Sequence, residues 1–131
     1  MSMHSHGIKF LLALKNASVL KKELVFFYYN NLFLKLAKVL YRTGLIQNFC
    51  IEKKKKKNFQ IIISLKYSFN NGILNSLKII SKPSISLFLD YEKLCRVSEK
   101  NRILILSTDQ GFLTCEECKK RKIGGKVFFY A

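Results

Sequence analysis

The residues best suited to chemistry lie near the C-terminus, where an apolar stretch ends in Ser107-Thr108-Asp109-Gln110-Gly111 and a Gly124-Gly125 pair follows a basic segment. Hydroxyl groups and a closely approaching glycine backbone can bind the phosphate and sugar groups of a nucleic acid. The apolar residues 103–106 predict a buried strand, and Thr114 with Glu117 three residues later predicts a capped helix. We therefore expect a strand, turn, helix and strand that present a binding turn.

Catalysis has no comparable support in the sequence. The two histidines, His4 and His6, stand at the N-terminal end, and the eight carboxylates are scattered. Glu116 and Glu117 are explained by the start of a helix, whose dipole favours acidic groups there. The glycine-rich phosphate loops of nucleotide enzymes are absent. The sequence predicts a binding protein that needs no cofactor and has no small-molecule substrate.

The four cysteines, Cys50, Cys95, Cys115 and Cys118, are irregularly spaced. Cys115 and Cys118 form a C-x-x-C pair, which is typical of half a zinc site or of a redox pair. A structural zinc needs four ligands, and no second pair completes the set. A redox pair needs an electropositive setting, whereas two Glu separate these cysteines. We interpret the pair as small packing residues on a helix, one of them turned inward, and expect no metal.

The net charge of the chain restricts the class of partner that it can be expected to bind. There are 24 Lys and Arg against 8 Asp and Glu, a net charge of +16 at pH 7, and 49% of the residues are hydrophobic. A chain with this composition is expected to fold and to bind a polyanion, either nucleic acid or an acidic membrane surface. The run Lys53–Lys57 is equally consistent with a phosphate clamp and with a solvated hairpin tip. The uncharged run 24–34 is shorter than the roughly 20 residues of a membrane span.

Hydrophobic periodicity predicts an α+β fold with two small α/β lobes, residues 1–70 and 71–131, divided at the Asn70-Asn71-Gly72 turn. The first lobe is expected to run helix, strand, helix, strand, strand, and the second to be mostly β with one short helix. The predicted elements of the first lobe are helix 8–17, strand 23–29, helix 31–42 and strands 45–52 and 58–67. Those of the second are strands 73–80, 85–89, 103–106 and 126–130, a helical turn at 91–95 and a helix beginning after Thr114.

The order of several short motifs resembles the small-subunit ribosomal protein S8 family. The motifs are Ile80-Ser81-Lys82-Pro83, then Ser107-Thr108-x-x-Gly111-x-x-Thr114, then Ile123-Gly124-Gly125-x-Val127. The similarity is closest over residues 74–131 and continues more weakly through residues 13–17 and 39–46.

The resemblance implies a two-lobed protein without enzymatic activity. It would bind the central domain of small-subunit ribosomal RNA, assist assembly and contact neighbouring small-subunit proteins, with no membrane partner. Carried over by position, the RNA-binding residues are Ser107, Thr108 and Gly111, with Ser81, Lys82, Gly124 and Gly125 beside them, and Lys15 and Asn16 near the N-terminus. Two departures from the family bear on the turn and the glycine pair. Gln110 stands where a cation is usual, and Lys126, where an acidic residue is usual, is expected to contact phosphate.

The sequence also supports expectations about the location of the protein, about a rival function and about two aromatic residues. The bias toward Lys, Asn, Ile, Phe, Leu and Tyr is that of an A+T-rich genome, which favours a mitochondrial ribosome, with a plastid or bacterial cytoplasm as the alternative. The rival function is a peripheral membrane protein that leaves an apolar face of helix 31–42 open, and a thiol or zinc enzyme is more distant. Phe88 and Tyr91 are suited to stacking on bases, but we expect them to pack in the core.

Overall fold

The computed structural model describes residues 3–55, 58–80, 87–97 and 102–131, and describes side chains from residue 6 onward. Helices and strands are mixed, which confirms the predicted α+β class. The chain divides into an N-terminal unit of residues 9–76 and a C-terminal unit of residues 77–131, to which the first residues of the chain also belong. The predicted division at residue 71 falls a few residues earlier. In the described parts of the chain, no helix is both long enough and apolar enough to cross a membrane.

The N-terminal unit is built on a three-stranded antiparallel sheet of order β1-β3-β2. Its elements are helix α1 (Met3–Val19), β1 (Leu24–Tyr28), α2 (Asn31–Arg42), β2 (Ile46–Lys54), β3 (Asn58–Leu65), β4 (Tyr67–Ser68), β5 (Asn71–Gly72) and a 3-10 helix (Ile73–Ser76). Helix α1 begins before residue 8, where its start was predicted. Its apolar side lies in the core of this unit, since Phe10, Leu11 and Leu14 are buried. The predicted order helix, strand, helix, strand, strand is found.

Helix α2 shows how local sequence sets its two ends. The Asn30 side chain accepts a hydrogen bond of 2.8 Å from the backbone N–H of Leu32 and caps the helix. After Thr43 the chain turns at Gly44, whose φ of +79° is left-handed. The apolar face of α2 is buried through Leu32, Leu36, Ala37, Val39 and Leu40. The open apolar face required by the membrane alternative is therefore not present on this helix.

The C-terminal unit contains a second antiparallel sheet of order β6-β10-β8-β9, with β7 also paired to β10. Its elements are β6 (Lys78–Ile79), β7 (Phe88–Leu89), α3 (Tyr91–Cys95), β8 (Leu104–Thr108), β9 (Gly111–Thr114), α4 (Cys115–Arg121) and β10 (Gly125–Tyr130). One cluster of its buried side chains joins the sheet to both helices: Leu94, Leu106, Leu113, Cys115, Cys118 and Val127. This cluster fixes the strand ends that form the candidate site.

Two predictions for this half of the chain were wrong in detail. The strand predicted over 73–80 is a 3-10 helix followed by the two-residue β6. Strand β9 was missed because its apolar core, Phe112 and Leu113, is too short to show a period. The helical turn predicted over 91–95 is found as α3. The predicted strand 85–89 is found at Phe88–Leu89, and residues 85–86 lie outside the described residues.

Helix α4 begins with the predicted capping box. The Thr114 hydroxyl accepts a hydrogen bond of 3.1 Å from the Glu117 backbone N–H, and the Glu117 carboxylate accepts one of 3.3 Å from the Thr114 backbone N–H. The helix ends at Lys122 in a left-handed conformation, with φ of +56°, instead of at the glycine pair. Gly124 and Gly125 must therefore serve another purpose.

Removing the cap should weaken the C-terminal unit. We expect Thr114→Ala to lower the free energy of unfolding by about 1 kcal/mol, because a backbone N–H at the start of α4 loses its acceptor. Urea denaturation followed by circular dichroism measures the change. Thr114→Ser keeps the hydroxyl and is the control; an equal loss in both variants would show that the methyl group, not the cap, carries the effect.

Candidate nucleic-acid interface

The turn between β8 and β9 is held together by Thr108. Its hydroxyl donates a hydrogen bond of 2.8 Å to the Gly111 carbonyl and accepts one of 3.1 Å from the Gln110 backbone N–H. Gly111 has φ of +102°, where a side chain would be strained. Thr108 and Gly111 thus shape the turn, and the Thr108 hydroxyl is already engaged within it.

Ser107 has a different position from its neighbour. It lies at a paired position between Phe112 on β9 and Lys126 on β10. Directly paired residues of antiparallel strands project on the same face, with Cβ atoms about 5 Å apart. Ser107 is half-buried, and its hydroxyl makes no hydrogen bond to another described residue. Among the described residues, nothing engages this hydroxyl, which makes it a candidate ligand-binding group on that face.

The same row continues to β7. Lys126 pairs on its other side with Phe88, so Phe88, Lys126 and Ser107 cross three adjacent strands on one face. We call these three residues the interface row. The Phe88 side chain is 58% exposed, so the prediction that it packs in the core was wrong. An exposed ring, an ammonium group and a hydroxyl are the groups that stack on bases and bind phosphate and sugar.

The glycine pair allows backbones to approach behind this row. A Cβ on Gly125 would lie 2.6 Å from Thr108 Cγ2 and 2.8 Å from the Ser107 carbonyl oxygen. A Cβ on Gly124 would lie 2.5 Å from the Leu89 carbonyl oxygen and 2.8 Å from Asp90 Cα. Both gaps are too small for a side chain. The pair therefore brings β10 close to β8 and to the end of β7, which positions the interface row.

Arg121 is a candidate site residue that the sequence analysis did not identify. Its Nη1 donates a hydrogen bond of 2.7 Å to the Gln110 side-chain oxygen, which places an exposed guanidinium beside the turn. The position before Gly111 carries no cation, and Arg121 supplies one from α4. The signal was present in the basic run at the end of α4, whose cations also complement the helix dipole.

The remaining predicted residues lie elsewhere. Ser81 and Lys82 fall outside the described residues. Lys15 is half-buried and Asn16 is exposed, and both lie on α1 in the N-terminal unit. Of the lysine run, residues 53–55 are exposed at the end of β2, and 56–57 fall outside the described residues. In the C-terminal unit the structure brings together Ser107, Thr108, Gly111, Gly124, Gly125 and Lys126.

Both cysteines of the C-x-x-C pair are core residues. Cys115 is 1% exposed and Cys118 fully buried, so the pair is more buried than predicted. Burial, and then the nearby Glu117 carboxylate, raises the pKa of the Cys118 thiol, while Arg121 opposes the shift. In the ranges that the structure describes, no group of three or more His, Cys, Asp or Glu is placed to hold a metal ion.

The burial of Cys115 and Cys118 predicts how fast each cysteine is alkylated. Thiolate is the form that reacts with alkylating reagents, and burial combined with a raised pKa suppresses it. We expect iodoacetamide at neutral pH to modify the exposed Cys50 and Cys95 in native protein, and Cys115 and Cys118 only after denaturation. Peptide mass spectrometry measures the four rates. Rapid native labelling of Cys118 would contradict the packing interpretation.

Comparison with known proteins identifies relatives of this chain. The family model described as ribosomal protein S8 matches residues 8–131. The small ribosomal subunit protein uS8 of Mesomycoplasma hyopneumoniae (strain 7448) is 33% identical over 120 residues, covering 92% of this chain and 90% of that protein. The protein uS8c of Phaseolus vulgaris is 34% identical over 122 residues, covering 89% and 90%. The uS8 of Persephonella marina is 32% identical over 125 residues, covering 92% of each.

The family-model match, over residues 8–131, extends through both units and includes the interface row. Proteins of the matched family are structural, non-enzymatic components of the small ribosomal subunit. Because the family model covers most of the chain and the relatives exceed 30% identity over nearly all of it, the chain belongs to the ribosomal protein S8 family.

Proposed function

We propose that this protein binds the central domain of small-subunit ribosomal RNA through the interface row and contributes to assembly of the subunit. The observation that carries the proposal is the alignment of Phe88, Lys126 and Ser107 on one face, at the strand end beside the Thr108–Gly111 turn. Arg121 adds a guanidinium next to that turn. On adjacent strands, the row presents an aromatic ring for stacking, a positive charge and a hydroxyl.

The chemistry of folded RNA favours such a surface. The major groove of an RNA helix is too narrow for side chains to enter, so proteins recognise sugar hydroxyls, phosphates and bases that leave the helix. A short hydroxyl on a flat strand end can approach the shallow minor groove, and an exposed ring can stack on an unpaired base. Lysine and arginine provide the salt-dependent part of the affinity.

The ribosome that we propose for this protein is mitochondrial. The similar proteins come from bacteria and chloroplasts, so they support a bacterial or organellar ribosome in general. The finer assignment is supported by the enrichment in Lys, Asn, Ile, Phe, Leu and Tyr, which reflects A+T-rich coding. Its partners would be the ribosomal RNA and the neighbouring proteins of that small subunit.

Fractionation tests the ribosomal assignment. Purified mitochondria are lysed, separated on a sucrose gradient and probed for this chain together with a marker of the small subunit. We expect the chain to co-sediment with that marker and to leave it after ribonuclease treatment. A chain that stays at the top of the gradient would contradict the proposal, and co-sedimentation with plastid or bacterial subunits instead would contradict its location.

Binding to rRNA fragments tests the site's target. Transcripts of the separate domains of the small-subunit rRNA are titrated with the full chain at one fixed salt concentration, because affinities at different salt cannot be compared. We expect the central-domain transcript to bind more tightly than the others. Equal affinity for all domains would leave only non-specific charge attraction and overturn the central-domain assignment.

A further inference from the structure

A second surface rich in aromatic rings lies in the N-terminal unit, where β1 ends and the hairpin of β2 and β3 continues beyond it. A cavity of about 880 Å³ opens there, and five of its lining residues are aromatic: Phe26, Phe27, Tyr28, Phe33 and Phe59. A second cavity of about 260 Å³ adjoins it and shares Tyr28 and Phe59. The combined space is of a size that accommodates a planar ligand.

The rings at the floor of this cavity are packed against each other and against one buried ring. Phe10, which is 1% exposed, lies with its ring centroid 4.6 Å from that of Phe27 and 4.8 Å from that of Phe33. The rings of Phe27 and Phe33 also meet edge to face at 5.8 Å. These buried contacts hold the floor in place before any ligand arrives, which lowers the entropy lost on binding.

The rim, by contrast, is exposed. The Tyr28 side chain is 89% exposed, and those of Phe26 and Phe59 are 54% and 44% exposed. Folding of the unit does not account for so many rings facing solvent. Contiguous exposed apolar surface of this kind marks a binding site.

Charge at the rim indicates the ligand. Lys54 and Lys55 line the same cavity and are exposed. Exposed rings beside ammonium groups match a base attached to a phosphate.

We propose that this cavity binds an unstacked base of single-stranded RNA, which stacks on Tyr28 while Lys54 and Lys55 contact its phosphates. An apolar segment of a partner protein would also fill a ring-lined cavity, but it gives no reason for the two lysines. The net charge of +16 further favours a polyanion. The site lies in the N-terminal unit, so the inference goes beyond the proposed role of the interface row and does not depend on it.

Substitutions at Tyr28 test the stacking. The full chain is titrated with a short single-stranded RNA of mixed sequence, and binding is followed by fluorescence anisotropy. We expect Tyr28→Leu, which keeps apolar bulk but removes the ring, to weaken binding by roughly tenfold, as loss of one stacked base does. Tyr28→Phe should bind as the wild type does. The matched control is Phe69→Leu, which removes a 97% exposed ring of the same unit outside the cavity.

Two further binding measurements distinguish base stacking at Tyr28 from backbone contacts and from binding at the interface row. An abasic strand with the same backbone should bind the wild type and Tyr28→Leu equally, because no base is left to stack. In a Ser107→Ala background the Tyr28 effect should persist, so a failure of the interface row is distinguishable from a failure here. Unchanged RNA binding by Tyr28→Leu, a loss equal in Tyr28→Phe, or a native cross-link from Tyr28 to a protein instead of RNA would each overturn the proposal.

Discussion

Gly124→Ala is expected to lower the free energy of unfolding by about 3 kcal/mol, roughly a hundredfold in the folding equilibrium. The added methyl group would lie 2.5 Å from the Leu89 carbonyl oxygen and 2.8 Å from Asp90 Cα. Both are backbone atoms, so no rotation of a side chain relieves the overlap. The end of β7 must move away from β10, which also displaces Phe88 from the interface row. Urea denaturation measures the loss of stability.

The matched control is Gly44→Ala. Gly44 also has a special role, since its φ is +79°, but a Cβ there meets no atom within 4 Å. That variant should lose only the conformational cost of a left-handed residue, about 1 kcal/mol. If the two variants were equally destabilised, close approach of backbone at Gly124 would not be the reason for the glycine.

The second large effect is expected on RNA binding. Under the proposed function, Ser107→Ala should weaken binding to the central-domain transcript about tenfold while leaving the stability unchanged, because this hydroxyl has no partner among the described residues. The salt dependence should stay as it is, since no charge is removed. Lys126→Gln should instead lower the slope of log K against log salt by about 1. Titrations at several salt concentrations distinguish the two outcomes.

Thr108→Val provides the contrast within the same turn. The Thr108 hydroxyl already bonds to Gly111 and Gln110, so its loss should destabilise the protein and weaken binding together. Ser107→Ala with full affinity for the transcript would contradict the interface row. So would a reduced salt slope in that variant, because it would assign the residue an electrostatic role.

Sequence patterns predicted the structure correctly where it depends on residues close together in the chain. The capping box at Thr114 depends on residues within one turn of helix, and it was predicted correctly. The strand predicted over 73–80 failed because an apolar run has no period that separates strand from 3-10 helix. The tertiary context decided its conformation.

The candidate site was harder to predict because its geometry depends on strand pairing. Ser107, Thr108 and the glycine pair were singled out by residue type, and the resemblance then assigned them to RNA binding. No sequence rule gives the register that sets Phe88 beside Lys126, or the reach of Arg121 to Gln110. Phe88 belongs to an alternating strand pattern that fits either face, and only the pairing with β10 shows which one it occupies. The sequence likewise does not show that the Thr108 hydroxyl is used within the turn whereas the Ser107 hydroxyl is not; the hydrogen bonds show this difference.

The close approach of β10 to its neighbours has a consequence for the order of events in assembly. The groups of the interface row sit on hydrogen-bonded strands whose spacing leaves no room for adjustment, so the protein arrives with its contact geometry already set. Little protein entropy remains to be lost on association. Under the proposed function, the conformational search on binding would fall to the RNA, because the protein surface would accept only RNA conformations that fit the interface row.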